Sequence, residues 1–153
     1  MTVDTRFSVG DFALAADRHY DRESHLWVES AGANRVRIGF DPLGAETSGD
    51  IVALSFEPLG SRVERGGAFG SLEAAKFVGP LVAPLSGTIT AHNESVVAQP
   101  GRLNLEPMEH WLIELDLADG GAEMTELVHG EDEVRKWFET DLERFRSQGM
   151  IAE

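Results

Sequence analysis

Short strand-length apolar runs, punctuated by turn signals, recur through the middle of this chain and confine it to a compact β fold. Val36, Ile38 and Phe40 alternate with Arg35, Arg37 and Gly39, the period-two pattern of a strand with one buried face. Ile51-Val52-Ala53-Leu54-Ser55-Phe56 is a second β-rich run, ended by Pro58-Leu59-Gly60. Trp111, Ile113, Leu115 and Leu117 alternate with Leu112, Glu114 and Asp116. Turn signals fall at Gly66-Gly67, from Pro84 to Gly87 and at Pro100-Gly101. Strands at this spacing predict a sandwich or barrel-like β domain. A chain of 153 residues fits one such domain. A domain of that size buries about 70% of its unfolded-chain surface, enough for a core without metal or disulfide.

Two segments break the β pattern. Asp41-Pro42 opens a short helix, with Asp41 as N-cap, Pro42 at the first helical position and Gly49 as the stop. In the tail, Val134, Trp137, Phe138, Leu142 and Phe145 recur at helical spacing, so one face can pack on the β domain. Glu131, Asp132 and Glu133 sit at the positive end of that helix dipole, Arg144 and Arg146 at the negative end, and Gly149 just beyond. Between them, Leu117 to Gly130 contains Gly120-Gly121 and acidic residues, and reads as a connector.

Composition removes whole classes of chemistry. There are no cysteines, which excludes disulfides, thiolate nucleophiles and cysteine metal sites. A net charge of −14 repels phosphates over most of the surface, which argues against nucleic acid as a partner and suits basic faces on proteins. The start of the chain lacks the basic stretch and apolar core of a signal peptide, and no apolar run approaches the roughly 20 residues of a membrane span. The expected setting is cytoplasmic.

Lysine is scarce. Only Lys76 and Lys136 occur among the 13 basic side chains, the rest being arginine. Arginine serves solubility equally well, but its guanidinium is a poor acyl acceptor, whereas a lysine amine can be acylated once deprotonated. Lys76 lies between apolar, strand-like runs in Gly70-Ser71-Leu72-Glu73-Ala74-Ala75-Lys76-Phe77-Val78-Gly79-Pro80. Gly66 and Gly87, ten residues before it and eleven after, are expected to mark the feet of a hairpin with Lys76 at its tip. Ala74 and Ala75 would keep that tip narrow. A modified lysine belongs on such a tip, where an enzyme can surround it and an arm can swing.

Gly66 to Gly87 resembles the lipoyl-attachment hairpin of the glycine cleavage system H protein family. The family run Glu-Ser-Val-Lys-Ala is matched by Glu73-Ala74-Ala75-Lys76-Phe77. His25-Leu26-Trp27-Val28 resembles its His-x-Trp-Val strand, Gly49-Asp50-Ile51-Val52 its Gly-Asp-x-Val, and Ala83-Pro84-Leu85-Ser86-Gly87 its Ser-Pro-x-Ser-Gly turn. Asn93-Glu94, Pro100, Asn104, Pro107 and Trp111-Leu112-Ile113 follow its downstream spacing. The resemblance runs from about Tyr20 to Leu117.

That resemblance implies a mainly β fold, the lipoyl/biotinyl-type barrel-sandwich hybrid, with a short internal helix and a C-terminal helix. Its expected organisation is an N-terminal extension over 1–19, a carrier domain over 20–117, a connector over 118–130, and a C-terminal helix over 131–149 packed on the same domain. It also implies a lipoyl carrier with no catalytic site of its own. Lipoate would be amide-linked to Lys76, and Glu73 would belong to the surface that the lipoylating enzyme recognises. In glycine cleavage the arm accepts an aminomethyl group from the decarboxylating glycine dehydrogenase and presents it to the aminomethyltransferase. Dihydrolipoamide dehydrogenase then reoxidises the dithiol.

Some positions depart from the family pattern. Phe77-Val78-Gly79-Pro80 replaces a more polar run, Glu109-His110 stands where a Gly-rich turn usually precedes the tryptophan, and four residues rather than three separate Tyr20 from His25. These features resemble H-like lipoate-binding proteins, which carry sulfur intermediates for heterodisulfide-reductase-like complexes. Two further alternatives are biotin, whose Met-Lys-Met tip is absent here, and an unmodified interaction module. The five histidines show no metal-motif spacing, so no metal site is expected. His25 reads as a hydrogen-bonded strand residue, with contact to a docked arm as the alternative. Ser86-Gly87 and Gly66-Gly67 read as turn chemistry, and nothing pairs Glu46 with Asp50 as a general acid and base.

Overall fold

The computed structural model describes residues 5–119 and 121–151, and within them eleven strands and four α-helices. Strands β1 (Arg6–Val9) and β2 (Phe12–Ala15) form a separate antiparallel hairpin. Six strands make the larger sheet: β3 (His19–Tyr20), β4 (Leu26–Gly32), β5 (Arg35–Phe40), β7 (Arg62–Val63), β10 (Gly87–His92) and β11 (Ile113–Leu117). Their order is β3-β4-β5-β11-β10-β7. The smaller sheet has β8 (Ala68–Ala74) between β6 (Ile51–Phe56) and β9 (Val78–Val82).

The alternation of β5 and β11 is the source of this arrangement. Ile38 pairs with Ile113 and Val36 with Leu115, so one face of the six-stranded sheet is apolar and fully buried. Leu54, Phe69, Leu72 and Leu81 of the smaller sheet join the same core cluster, giving a sandwich without a closed barrel. Fully burying one such side chain is worth about 1.5–3 kcal/mol.

Helix α1 (Pro42–Ser48) starts and stops where its sequence implies. One Asp41 carboxylate oxygen accepts from the Leu43 and Gly44 N–H groups at 2.9 and 2.8 Å, Pro42 occupies the first turn, and Gly49 ends the helix. Two short helices follow β10, α2 (Glu94–Ala98) and α3 (Arg102–Leu105). The long helix α4 (Glu131–Ser147) carries three acidic residues in its first turn and Arg144 and Arg146 in its last. It buries Val134, Phe138 and Leu142 in a second core with Val9, Leu14, Tyr20, Trp27 and Leu43.

Three structural details lie beyond the sequence expectations. The β1–β2 hairpin, inside the stretch read as an N-terminal extension, supplies Val9 and Leu14 to this second core. The connector is anchored where Val128 forms a β-bridge with Tyr20. Leu112, placed opposite the buried residues in the alternation of its strand, is itself fully buried, because β11 begins only at Ile113.

Candidate functional site

Strands β8 and β9 pair in the register Glu73–Val78, and Ala74 N–H donates to Phe77 C=O at 2.9 Å. Ala75 and Lys76 are therefore a two-residue loop, with Lys76 exposed at the tip as its flanking runs imply. The feet differ from the sequence expectation on one side. Gly66 N–H donates to Ala83 C=O and Ala83 N–H to Gly67 C=O, so Gly66 is one foot and Ala83 the other. Gly87 already belongs to β10, where it pairs with Val63 and Leu117. The turn signal from Pro84 to Gly87 marks the crossing between sheets.

The tip rests on the loop after α1. Ala75 N–H donates to the Asp50 carbonyl and Lys76 N–H to the Ser48 carbonyl, both at 2.9 Å. Asn104 of α3 holds that loop from below. Its side-chain oxygen accepts from Ile51 N–H and its amide donates to Gly49 C=O, again both at 2.9 Å. In the sequence Asn104 is only a spacing match. Its role depends on partners more than fifty residues away, which no local signal reports.

The Lys76 side chain makes no hydrogen bond or ion pair with any described residue, and this exposed residue borders two depressions. One, of about 270 Å³, is lined by His25, Leu26, Phe77, Pro80, Phe145 and Met150 among others, and is largely apolar. The other, of about 660 Å³, carries the carboxylates of Asp11, Glu46, Asp50, Glu106 and Glu109. Glu73 is exposed on the outer face of β8, opposite Ala53 and Val78. Glu46 and Asp50 share the larger groove, but no hydrogen bond or ion pair links their side chains.

His25 departs from its expected setting. It precedes β4 instead of lying in it, with a left-handed backbone (φ 56). It is buried, and its ring nitrogens meet Asp41 and Asp141, each at 2.7 Å. Burial pulls its pKa down, but the charge of Asp41 and the hydrogen bonds the ring donates to both carboxylates outweigh it and raise the value to about 9. Burial pushes Asp141 up, and the His25 and Arg144 contacts more than reverse that, leaving it below the usual carboxylate range. The imidazole stacks on Trp137 at 4.8 Å.

The other histidines do not gather at the tip. His19 and His129 stack on each other at 4.0 Å, and burial, with His129 adding to it, lowers the His19 pKa. Among the described residues no cluster of three or more His, Cys, Asp or Glu could hold a metal ion. Ser86 accepts from Arg65 N–H and donates to Glu123, which is a structural role.

The profile of the family described as "Glycine cleavage H-protein" matches residues 18–140. The chain belongs to this family. Its H-protein relatives include the glycine cleavage system H protein of Acidobacterium capsulatum, 36% identical over 107 residues, covering 70% of this chain and 81% of that protein. Glycine cleavage system H protein 2 of Aquifex aeolicus is 31% identical over 124 residues, covering 80% and 77%. A crystal structure of the H protein from Mycobacterium marinum superposes with a TM-score of 0.67 at 27% identity, covering 80% of this chain and 98% of that one. H proteins are lipoyl carrier subunits, and membership assigns this chain the H-protein carrier role. No helix among the described residues is long and apolar enough to cross a membrane.

Proposed function

We propose that the chain carries an aminomethyl group in glycine cleavage on lipoate joined to Lys76. The observation that supports this best is the tip itself: an exposed lysine on a two-residue loop, its amine unpaired among the described residues, its backbone strapped to the end of α1. The residues fit the group. Exposed Ala75 leaves the approach to the amine open, whereas Ala74, expected to narrow the tip, is instead buried in the core, and the two flanking depressions offer an extended acyl arm places to lie. Bound lipoate would supply a dithiolane, the redox-active sulfur chemistry that this cysteine-free chain lacks.

The chain's own part is presentation. Lys76 Nζ would lose its proton and attack the carbonyl of an activated lipoyl donor. The bond from that carbonyl to the activating group breaks, the activating group departs with the electron pair, and the resulting amide no longer carries the lysine's charge. Glu73, three residues earlier on the exposed face of the hairpin, would be read by the lipoylating enzyme. The carboxylates of the larger groove suit a cargo that bears an amine. The partners would be the decarboxylating glycine dehydrogenase, the aminomethyltransferase and dihydrolipoamide dehydrogenase, and the setting the cytoplasm. The relatives reported above are named for glycine cleavage.

One observation favours a second reading. The cleft between Lys76 and His25 is walled by Phe77, Pro80, Phe145 and Met150, and among the described residues Glu23 is its only carboxylate. That wall suits a cargo without an amine, such as the sulfur carried by H-like lipoate-binding proteins that serve heterodisulfide-reductase-like complexes, although none of the relatives reported above is named for that role. Reconstitution separates the two. The lipoylated protein is incubated with glycine, decarboxylating glycine dehydrogenase and aminomethyltransferase, and turnover supports the aminomethyl reading. Failure there, with sulfur loading by a sulfur-donor system, supports the alternative.

A further inference from the structure

His25 joins two parts of the molecule that share no sequence neighbourhood. On one side its Nε2 meets Asp141 of α4, and on the other its Nδ1 meets the Oδ2 of Asp41, both at 2.7 Å. The second oxygen of Asp41 caps α1. Asp41 N–H donates to the His25 carbonyl at 2.9 Å, so the two residues are bound by main chain as well as side chain. At the far end of α1, Ser48 and Asp50 accept the Lys76 and Ala75 N–H groups. A seven-residue helix has little stability of its own and depends on its cap and packing. Hydrogen bonds between ionised partners are the stronger kind, and both sides of His25 can make them.

We propose that His25 is a positioning residue for Lys76. Through Asp41 it fixes the α1 platform on which the lysine tip hangs, and through Asp141 it makes that platform depend on the docking of α4. Helix α4 then does more than cover the second core: it holds the carrier lysine in place for the enzyme that modifies it. The modification part rests on the reading of Lys76 as the attachment site. The structural part does not.

The test is amide hydrogen exchange by NMR on the full chain, paired with the rate of lipoylation by a lipoate–protein ligase. Asp141→Ala removes the α4 partner of His25, and Asp141→Asn keeps an acceptor there. Leu115→Ala, in the opposite core, is a control that destabilises the whole fold at least as much, with Ile89→Val as its milder substitute. We expect the Ala75 and Lys76 amides of Asp141→Ala to exchange about tenfold faster than in the control, with Asp141→Asn between wild type and Ala. Lipoylation of Lys76 should slow in the same order. Tip amides in Asp141→Ala that exchange no faster than in the control would overturn the proposal. If the wild-type chain accepts no lipoate, the attachment reading fails, and the exchange comparison still decides this one.

Discussion

The Lys76 backbone N–H donates to the Ser48 carbonyl at 2.9 Å, tying the amine-bearing residue to the end of α1. Gly49 makes this strap possible. Its φ of 75° and ψ of −167° lie in a region that only glycine occupies readily. A Cβ there would sit 3.0 Å from Lys76 Cγ and 3.3 Å from Lys76 N. Gly49→Ala is expected to cost about 1–3 kcal/mol of stability, measured by urea denaturation, and to slow lipoylation by displacing the tip. Wild-type stability and lipoylation rate in that variant would contradict the strap.

Lys76→Arg keeps the positive charge and the exposure but removes the acylatable amine. The expected outcome is a chain with wild-type denaturation behaviour that takes no lipoate and has no carrier activity. Carrier activity at the wild-type level would rule out Lys76 as the attachment point.

Glu73→Gln changes one exposed carboxylate that makes no hydrogen bond or ion pair with any described residue. Stability should shift by less than about 0.5 kcal/mol, as for surface substitutions in general. Lipoylation should slow severalfold, read by mass spectrometry over time. An unchanged rate would remove Glu73 from the recognition surface.

The His25 cluster gives stability a definite pH dependence. Its folded pKa is raised, so its contribution is full below the unfolded value of 6.5 and is lost as pH climbs through about 9. At about 1.4 kcal/mol per unit, that loss is on the order of 3 kcal/mol. Asp141, held below the usual carboxylate range, contributes above that range and loses its contribution as pH falls through its lowered value. Urea midpoints taken from about pH 6 to about pH 10 should decline in the wild type and stay flatter in His25→Gln. Equal slopes in the two proteins would show that His25 is not the group responsible.

Legibility of the fold followed the range of the forces involved. Asp41, Pro42 and Gly49 are local signals, and α1 begins and ends with them. The lysine tip was legible because a strand pair and its loop are contiguous in the chain. The second foot was not, because the run from Pro84 to Gly87 gives a turn signal whether the chain closes a hairpin or crosses to another sheet. A usable signal exists for the N-terminal hairpin: Gly10-Asp11 lies between Phe7, Val9 and Phe12, Leu14 in alternating positions. Nothing local announces the setting of His25, whose partners lie 16 and 116 residues away. Periodicity placed α4 against the domain, but the reach of Asp141 to a buried imidazole is a tertiary event.

The most direct measurement is intact and peptide mass spectrometry of the protein isolated from its own host. One lipoyl group, located on Lys76, is expected. A bare Lys76 in cells whose other lipoyl proteins are modified would contradict the carrier reading and leave the chain an unmodified interaction module.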